Sequence, residues 1–393
     1  MSDSENNSPE KSLFTGRMIV SFEDLAPPQL GARVVKNASG IRLVNARELQ
    51  NGEQAPGIFF DKLGIALVSC DPDQVDFLTA TGAKEKCILA VEPEIICHAI
   101  EGSPSFIDTE YNTWGLEATN VLSSAFDGSG IRIAVLDTGF DLTHEDFAGR
   151  KIIYSSFVPD QGVQDMHGHG THCIGTASGP KLPQMSPRRY GIASAAEIYA
   201  GKVLGNDGSG ESGWIIAGIN WAVSEQCHLI SMSLGSPAYK GQSYYKYYEI
   251  AARRALEQGS LIVAAAGNES NRRFNRTSPV GHPANCPSVM AVAALDSELQ
   301  VAYFSNAGIN QDGGEVNISA PGVGVYSSWL MSDGGYMTIS GTSMATPHVA
   351  GIGALLAQAH NVRGVELWNQ IVKSVKPLCA SSDDVGSGLI MAP

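Results

Sequence analysis

The chain has 393 residues, 43% of them apolar and 17% charged, with 43 glycines and a formal net charge of −14. The length allows one large domain with a smaller companion, or two ordinary ones. The acidic balance disfavours a nucleic-acid partner, no run approaches the ~18 continuous apolar residues of a membrane span, and seven cysteines without C-x-x-C spacing argue against a disulfide framework or a zinc knuckle.

The polar start MSDSENNSPEKSLFTG (1–16) reads as a disordered tail. It lacks the basic start and apolar run of a secretory signal. The expected location is therefore the cytoplasm if the sequence is complete as written, and outside the cell if a signal has been removed. Residues 17–100 carry strand-like runs, RMIVSF, ARVVKNASGIRLV, IALVSC and CILAVEP, and one helix-compatible piece, PDQVDFLTATG. Strands and a helix mixed over so short a span predict a small α+β unit. EGSPSFIDTEYNT (101–113) makes a polar linker to a larger unit over 114–393. There the short apolar runs IRIAVLD, IYAGKVL, HLISMSLG, LIVAAAGN and VMAVAAL alternate with helical segments at 212–226 and 245–259. That alternation predicts an α/β architecture, a mostly parallel sheet covered on both faces. Functional groups collect at the carboxyl ends of such strands, where Asp137, Ser233 and Asn268 fall.

Near the end, SGTSMATPHVAG (340–351) leads into apolar positions at helical spacing, Val349, Ile352 and Leu356. Pro347 is tolerable only close to a helix start, so a helix should begin near Ser343, with Gly341 allowing a tight turn or a close approach. Alone, this reads equally well as a Ser/Thr cap. Two further segments change the balance. Asp137 ends a strand in AVLDTGF, and His169 sits among glycines in MHGHGTHCIGTASG. An acid, an imidazole and a hydroxyl on Gly-rich turns at one sheet edge are the parts that activate a serine. Asn268 in AAAGNES adds a side-chain amide for a developing oxyanion, with the Ser343 amide as second donor.

In this order, the words DTG, HGTH, GN and GTSMATPHVAG resemble those of the subtilisin-like serine proteases, over roughly residues 114–392. The resemblance implies a three-layer fold preceded by a ferredoxin-like propeptide, and a serine endopeptidase working through an acyl-enzyme. Residue by residue, it implies that Asp137 orients His169, His169 is the general base, Ser343 the nucleophile, and Asn268 the oxyanion donor, assisted by the Thr342 hydroxyl. Gly208, Ser209 and Gly210 would face Ser233, Leu234 and Gly235 across an extended protein or peptide substrate. Ala265, Ala266 and Gly267 would line the pocket before the scissile bond, with Glu269 at its rim. Cys173 would lie one helical turn beyond the base.

The N-terminal unit resembles the family's propeptide, which inhibits through its last strand. AVEPEIICHAI (90–100) matches that strand, implying a zymogen that cuts itself near Ile100–Glu101. The resemblance implies no cofactor for the chemistry. Relatives carry a calcium loop after the histidine helix, but SGPKLPQMSPRRYGIA (178–193) is basic and poor in oxygen ligands. No metal ligand is assigned, Asp146 is read as a structural cap, and a structural calcium is left to other parts of the chain. Arg272, Arg273 and Arg276 are read as a solvated loop in preference to a specificity element.

Three rival readings compete with this one. His167, His169 and His172 have an H-x-H-x-x-H spacing suited to a metallo-hydrolase, which leaves Asn268 and the Ser343 turn unexplained. A non-catalytic binding module would not need all four residue types. A dedicated processing protease or macrocyclase would share the acyl-enzyme and differ in whether water or an amine resolves it.

Overall fold

Phe14 already belongs to a strand, β1 (Phe14–Phe22), in the computed structural model, which describes residues 14–23, 28–49, 55–85, 87–99 and 108–393. The rest of the tail read as disordered lies outside the described residues. After β1 come α1 (Pro28–Ser39), β2 (Gly57–Phe60), β3 (Ile65–Val68), α2 (Pro72–Glu85) and β4 (Ile88–Ala99). The strands pair antiparallel in the order β4-β1-β3-β2, the β-α-β-β-α-β pattern of a ferredoxin-like unit.

One expected strand is corrected here: most of ARVVKNASGIRLV is helix α1, and strand survives only at Val44–Asn45. The adjacent valines favour a strand locally. However, Gly31, Val34, Val35 and Ser39 are buried while Arg33, Lys36 and Asn37 are exposed, a helical spacing that the neighbouring sheet and α2 reward. The short, fully buried β2 was not expected from sequence.

The larger unit runs β5 (Arg132–Asp137), β6 (Ile152–Ser156), α3 (His169–Ser178), β7 (Glu197–Lys202), β8 (Ser209–Glu211) and α4 (Ser212–Ser224). It continues with β9 (Leu229–Met232), β10 (Leu234–Gly235), α5 (Lys246–Glu257), β11 (Leu261–Ala265), β12 (Met290–Leu295), β13 (Ile318–Pro321) and α6 (Thr342–His360). Seven strands pair in parallel in the order β13-β12-β11-β9-β5-β7-β6. Leu389–Ile390 extends the β13 edge in parallel, and Val375–Lys376 closes it antiparallel.

Along β5 the side chains alternate between two cores. Ile133 and Val135 join α3 and α6, whereas Ala134 and Leu136 join α4 and α5. A strand buried on both faces has no polar face to show, which explains the continuous apolar runs. Neighbouring strand ends of β11, β9, β5 and β7 bring Asn268, Ser233, Asp137 and Lys202 to one edge. Among the described residues, no helix is long and apolar enough to cross a membrane.

The N-terminal sheet closes one face with its own helices, around Val20, Phe22, Val35 and Leu78. Its other face, including Ile19, Phe60, Ile65, Leu67 and Ile95, joins the α4–α5 core. Two carboxylates of β4 fasten this docking. Glu92 accepts the amides of Lys246 and Tyr247, both at 3.0 Å, at the start of α5. Fully buried Glu94 accepts the Gly213 amide at the start of α4 and pairs with Arg17 at 2.8 Å. Arg17 also bridges to Glu211. Carboxylates suit helix starts because unbonded amides and the positive dipole end meet there.

Candidate active site

Asp137 ends β5 and His169 begins α3, and both are buried. Asp137 Oδ1 lies 2.8 Å from His169 Nδ1 and also accepts the Thr138 amide at 2.7 Å. The carboxylate thus holds the proton on Nδ1 and leaves Nε2 as the basic nitrogen. Burial alone would pull the imidazole down, but the Asp137 carboxylate outweighs it and holds His169 well above the ordinary histidine range.

The turn before α3 is set by Asp165. Its Oδ1 accepts the His167 and Gly168 amides, and its Oδ2 accepts the Thr171 amide and hydroxyl. Gly168 has φ 98°, and an added Cβ would fall 2.4 Å from the Trp329 ring, so only glycine fits.

Ser343 is the second residue of α6, in a first turn whose amides have no helical carbonyl to bond. Its hydroxyl donates to the Ser233 carbonyl at 3.3 Å, and its carbonyl accepts the Ser233 hydroxyl at 2.7 Å. Of the two expectations for Gly341, the tight turn is not seen, since its backbone is extended (φ 165°). Its backbone does run close to that of Gly322: the Gly341 amide donates to the Gly322 carbonyl at 2.8 Å, and a Cβ added at Gly322 would lie 2.9 Å from the Gly341 carbonyl.

Cys173 lies beneath the pair, its Sγ 3.9 Å from His169 Nδ1 and 3.7 Å from the Ser343 carbonyl oxygen. Burial pushes this thiol up despite His169, which keeps it protonated and poorly nucleophilic.

Asn268 is oriented by Thr342, whose amide and hydroxyl donate to its Oδ1 at 2.9 and 3.0 Å. With that oxygen committed, the buried Nδ2 is the donor left over, and it meets no acceptor among the described residues. Such an amide can bond an anion that forms beside it.

Strand β4 lies antiparallel between β8 and β10. Cys97 pairs with Gly210, His98 with both Ser209 and Gly235, and Ala99 with Leu234. Both segments named as groove walls thus contribute residues that pair with β4. Ser209–Glu211 form the ladder while Gly208, at φ 76°, makes the turn before it. Ser233 contacts Ser343 and, among the described residues, has no partner in the ladder. Ala265, Ala266 and Gly267 are buried, and the Gly267 amide donates to the Thr342 hydroxyl at 3.2 Å. Exposed Glu269 is held by the Asn306 side-chain amide.

The three histidines of H-x-H-x-x-H do not converge. His172 Nε2 faces the Val325 carbonyl at 3.0 Å, and burial takes its pKa down to about 3. The arginine loop is less free than expected: Arg272 bonds Asp384 at 2.6 Å and Arg273 stacks 4.1 Å above Tyr303.

In the 178–193 loop, both oxygens of Asp146 are taken. They accept the Gln184 and Met185 amides at 2.6 and 3.3 Å, and the Tyr190 and Tyr336 hydroxyls at 2.6 and 2.7 Å. Arg188 donates to the Thr109 carbonyl at 2.9 Å, reaches Asp108 at 3.4 Å and stacks 4.8 Å above Tyr326. A buried carboxylate with four donors and a neighbouring guanidinium do not fit a calcium ion.

Sequence reasoning missed Glu92, Glu94, Asp165 and Lys202. The first two carried a usable signal, since E-x-E within a strand puts both carboxylates on one face.

Residues 128–378 match the model of the subtilase family. The chain is 37% identical to subtilisin E of Bacillus subtilis over 309 residues, covering 78% of this chain and 75% of that protein. It is 38% identical to a subtilisin of Bacillus pumilus over 282 residues, 71% of this chain and 96% of that one. Similarity to a thermostable alkaline protease of Halalkalibacterium halodurans is 36% over 314 residues, 79% of this chain and 80% of the relative. The chain belongs to the subtilase family and is a serine endopeptidase of the S8 class.

Proposed function

We propose that this protein is made as a self-inhibited zymogen that cuts peptide bonds with Ser343, His169 and Asp137. Ser343 Oγ attacks the peptide carbonyl carbon and passes its proton to His169 Nε2. The oxyanion takes hydrogen bonds from Asn268 Nδ2 and the Ser343 amide. The C–N bond then breaks, His169 returns the proton to the leaving amine, and water repeats the sequence on the acyl-enzyme. The Asp137 carboxylate, bonded to His169 Nδ1, stabilises the imidazolium.

One observation carries this reading: β4 is seated as a strand between β8 and β10, with Ala99 opposite Leu234. The last described pair of that ladder, Ala99 with Leu234, lies one residue from Ser233, whose carbonyl accepts the Ser343 hydroxyl. The proposed cut, Ile100–Glu101, itself lies outside the described residues. Residues 14–99 would then remain as a product-like inhibitor. Protein and peptide substrates would take the same ladder, the backbone supplying affinity and side-chain pockets selectivity.

No step needs a cofactor on this reading. The donors around Asp146 further support a loop held by Tyr190, Tyr336 and Arg188 without a calcium ion at that place.

Fluorophosphonate labelling of wild type and Ser343→Ala, read by intact mass, tests the whole. The expected result is a labelled wild-type species about 100 residues shorter and an unlabelled, full-length variant. Labelled full-length protein would discard the zymogen cut. No labelling, even after limited proteolysis, would discard the nucleophile.

A further inference from the structure

Lys202 is a fully buried cation in the midst of the site just described, and that mechanism gives it no task. It ends β7 in register with Asp137 on β5, and neighbouring strands lie about 4.8 Å apart. Its Nζ donates to the Thr138 carbonyl at 2.6 Å. Thr138 in turn donates its amide to Asp137 Oδ1 and accepts the Gly170 amide on its hydroxyl at 2.8 Å. A single ammonium therefore pins the turn that links the carboxylate of β5 to the first turn of α3.

The charges make a closed set. Asp137 and Asp165 are buried carboxylates, Lys202 is a buried cation, and His169 gains a proton during each half-reaction. Asp137 Oδ2 accepts no hydrogen bond among the described residues, so part of its charge is balanced through space. Burial pulls the Lys202 ammonium down, while Asp165, Asp137 and Asp207 support its charged form. The other groups acting on His169 are Cys173 one turn on, His172 beside it and the His167 ring 6.3 Å away. Among these, Lys202 is the permanent cation. Buried charges are kept only where paired or functional, since an unpaired one is costly.

We propose that Lys202 is a positioning residue for the Asp137–His169 pair, holding the Thr138 turn and setting the pH at which His169 becomes a free base. This rests on the triad reading above. Without the buried cation, Asp137 acts on His169 unopposed and the imidazolium is favoured. The acid limb of activity then moves to higher pH by about one unit.

The test is the pH profile of kcat/KM for a peptide anilide in wild type, Lys202→Met and Lys202→Arg. Alongside it runs the pH dependence of alkylation of His169 by a peptidyl chloromethyl ketone, which needs no turnover. Both limbs are expected to rise in Lys202→Met and to stay with wild type in Lys202→Arg. A folded Lys202→Met enzyme that is slower at every pH, with both limbs unmoved, would overturn the proposal and leave Lys202 a purely structural residue. If Lys202→Met does not fold, Lys202→Gln substitutes, keeping a donor for the Thr138 carbonyl without the charge: the limb should again rise, and an unmoved limb is again fatal. A wild type with no acid limb and no alkylation would instead take down the triad reading itself.

Discussion

The two parts of the chain bury their apolar residues by different means. Residues 108–393 cover both faces of their sheet with their own helices, α3 and α6 on one side and α4 and α5 on the other. Residues 14–99 cover only one face with α1 and α2, and borrow α4 and α5 for the other. Fully burying an aliphatic or aromatic side chain is worth roughly 1.5–3 kcal/mol, and small units have little to spare. The smaller part therefore depends on docking for much of its core. The larger part has a core of its own and carries the candidate chemistry.

The cleanest way to break this division is at Ser343. Ser343→Ala should reduce kcat by about 10⁶-fold, the size of loss known for the corresponding serine of subtilisin, and leave the full-length chain uncut. Residual cleavage at wild-type rate would move the chemistry elsewhere. Asn268→Ala should cost about 10²–10³-fold in kcat with little change in KM, again the subtilisin magnitude for such a donor. An effect confined to KM would make Asn268 a binding residue.

The control side of the comparison is sharpened at β4. Glu94→Ala leaves Arg17 without its buried partner and the α4 amide uncapped, and should weaken docking by about 10²–10³-fold. Glu92→Gln, at a half-buried cap, should weaken it by only about 5-fold. The reading is the lag before activity appears in freshly purified full-length protein. Equal lags in both variants and wild type would mean that apolar contact alone holds the unit.

Acid should act on the larger part through histidines kept neutral by burial. His172 is taken down to about 3, and His348 and His282 to about 4, all below the ordinary 6.5. A lowered pKa means that the unfolded chain binds more protons in that window. Stability is thus intact above pH 6.5 and falls as pH drops toward 4, by roughly several kcal/mol. Melting of Ser343→Ala across this range checks it, and a flat Tm would refute it. The smallest expected effect is that of a chelator. If the Asp146 loop needs no calcium, excess chelator should shift the Tm of Ser343→Ala by less than about 2 °C.

Much of this was legible beforehand, and the reasons are physical. Continuous apolar runs marked the parallel strands because burial on both faces leaves no room for polar residues. Asp137, His169, Asn268 and Ser343 stood out because each sits on a glycine-rich turn. Helix α1 was misread because two adjacent valines outweighed a helical spacing that pays off only against a sheet. Lys202 was invisible as a site residue. In the sequence it is one lysine after an apolar run, and only the β5–β7 register places it beside Asp137. The E-x-E pattern of Glu92 and Glu94 marks a shared strand face, but the helix starts they act on lie more than 110 positions away, and no local pattern names those partners.

The guanidinium at the Asp146 loop has a consequence for the conditions the molecule tolerates. An ion held in a loop comes and goes with its concentration outside, so the loop is only as firm as its surroundings are rich. Arg188 is delivered by its own backbone, and its effective concentration near Thr109 and Asp108 is set by the chain and survives any dilution. The segment that begins the larger part is thereby tied down by a cation that is inherited with the sequence.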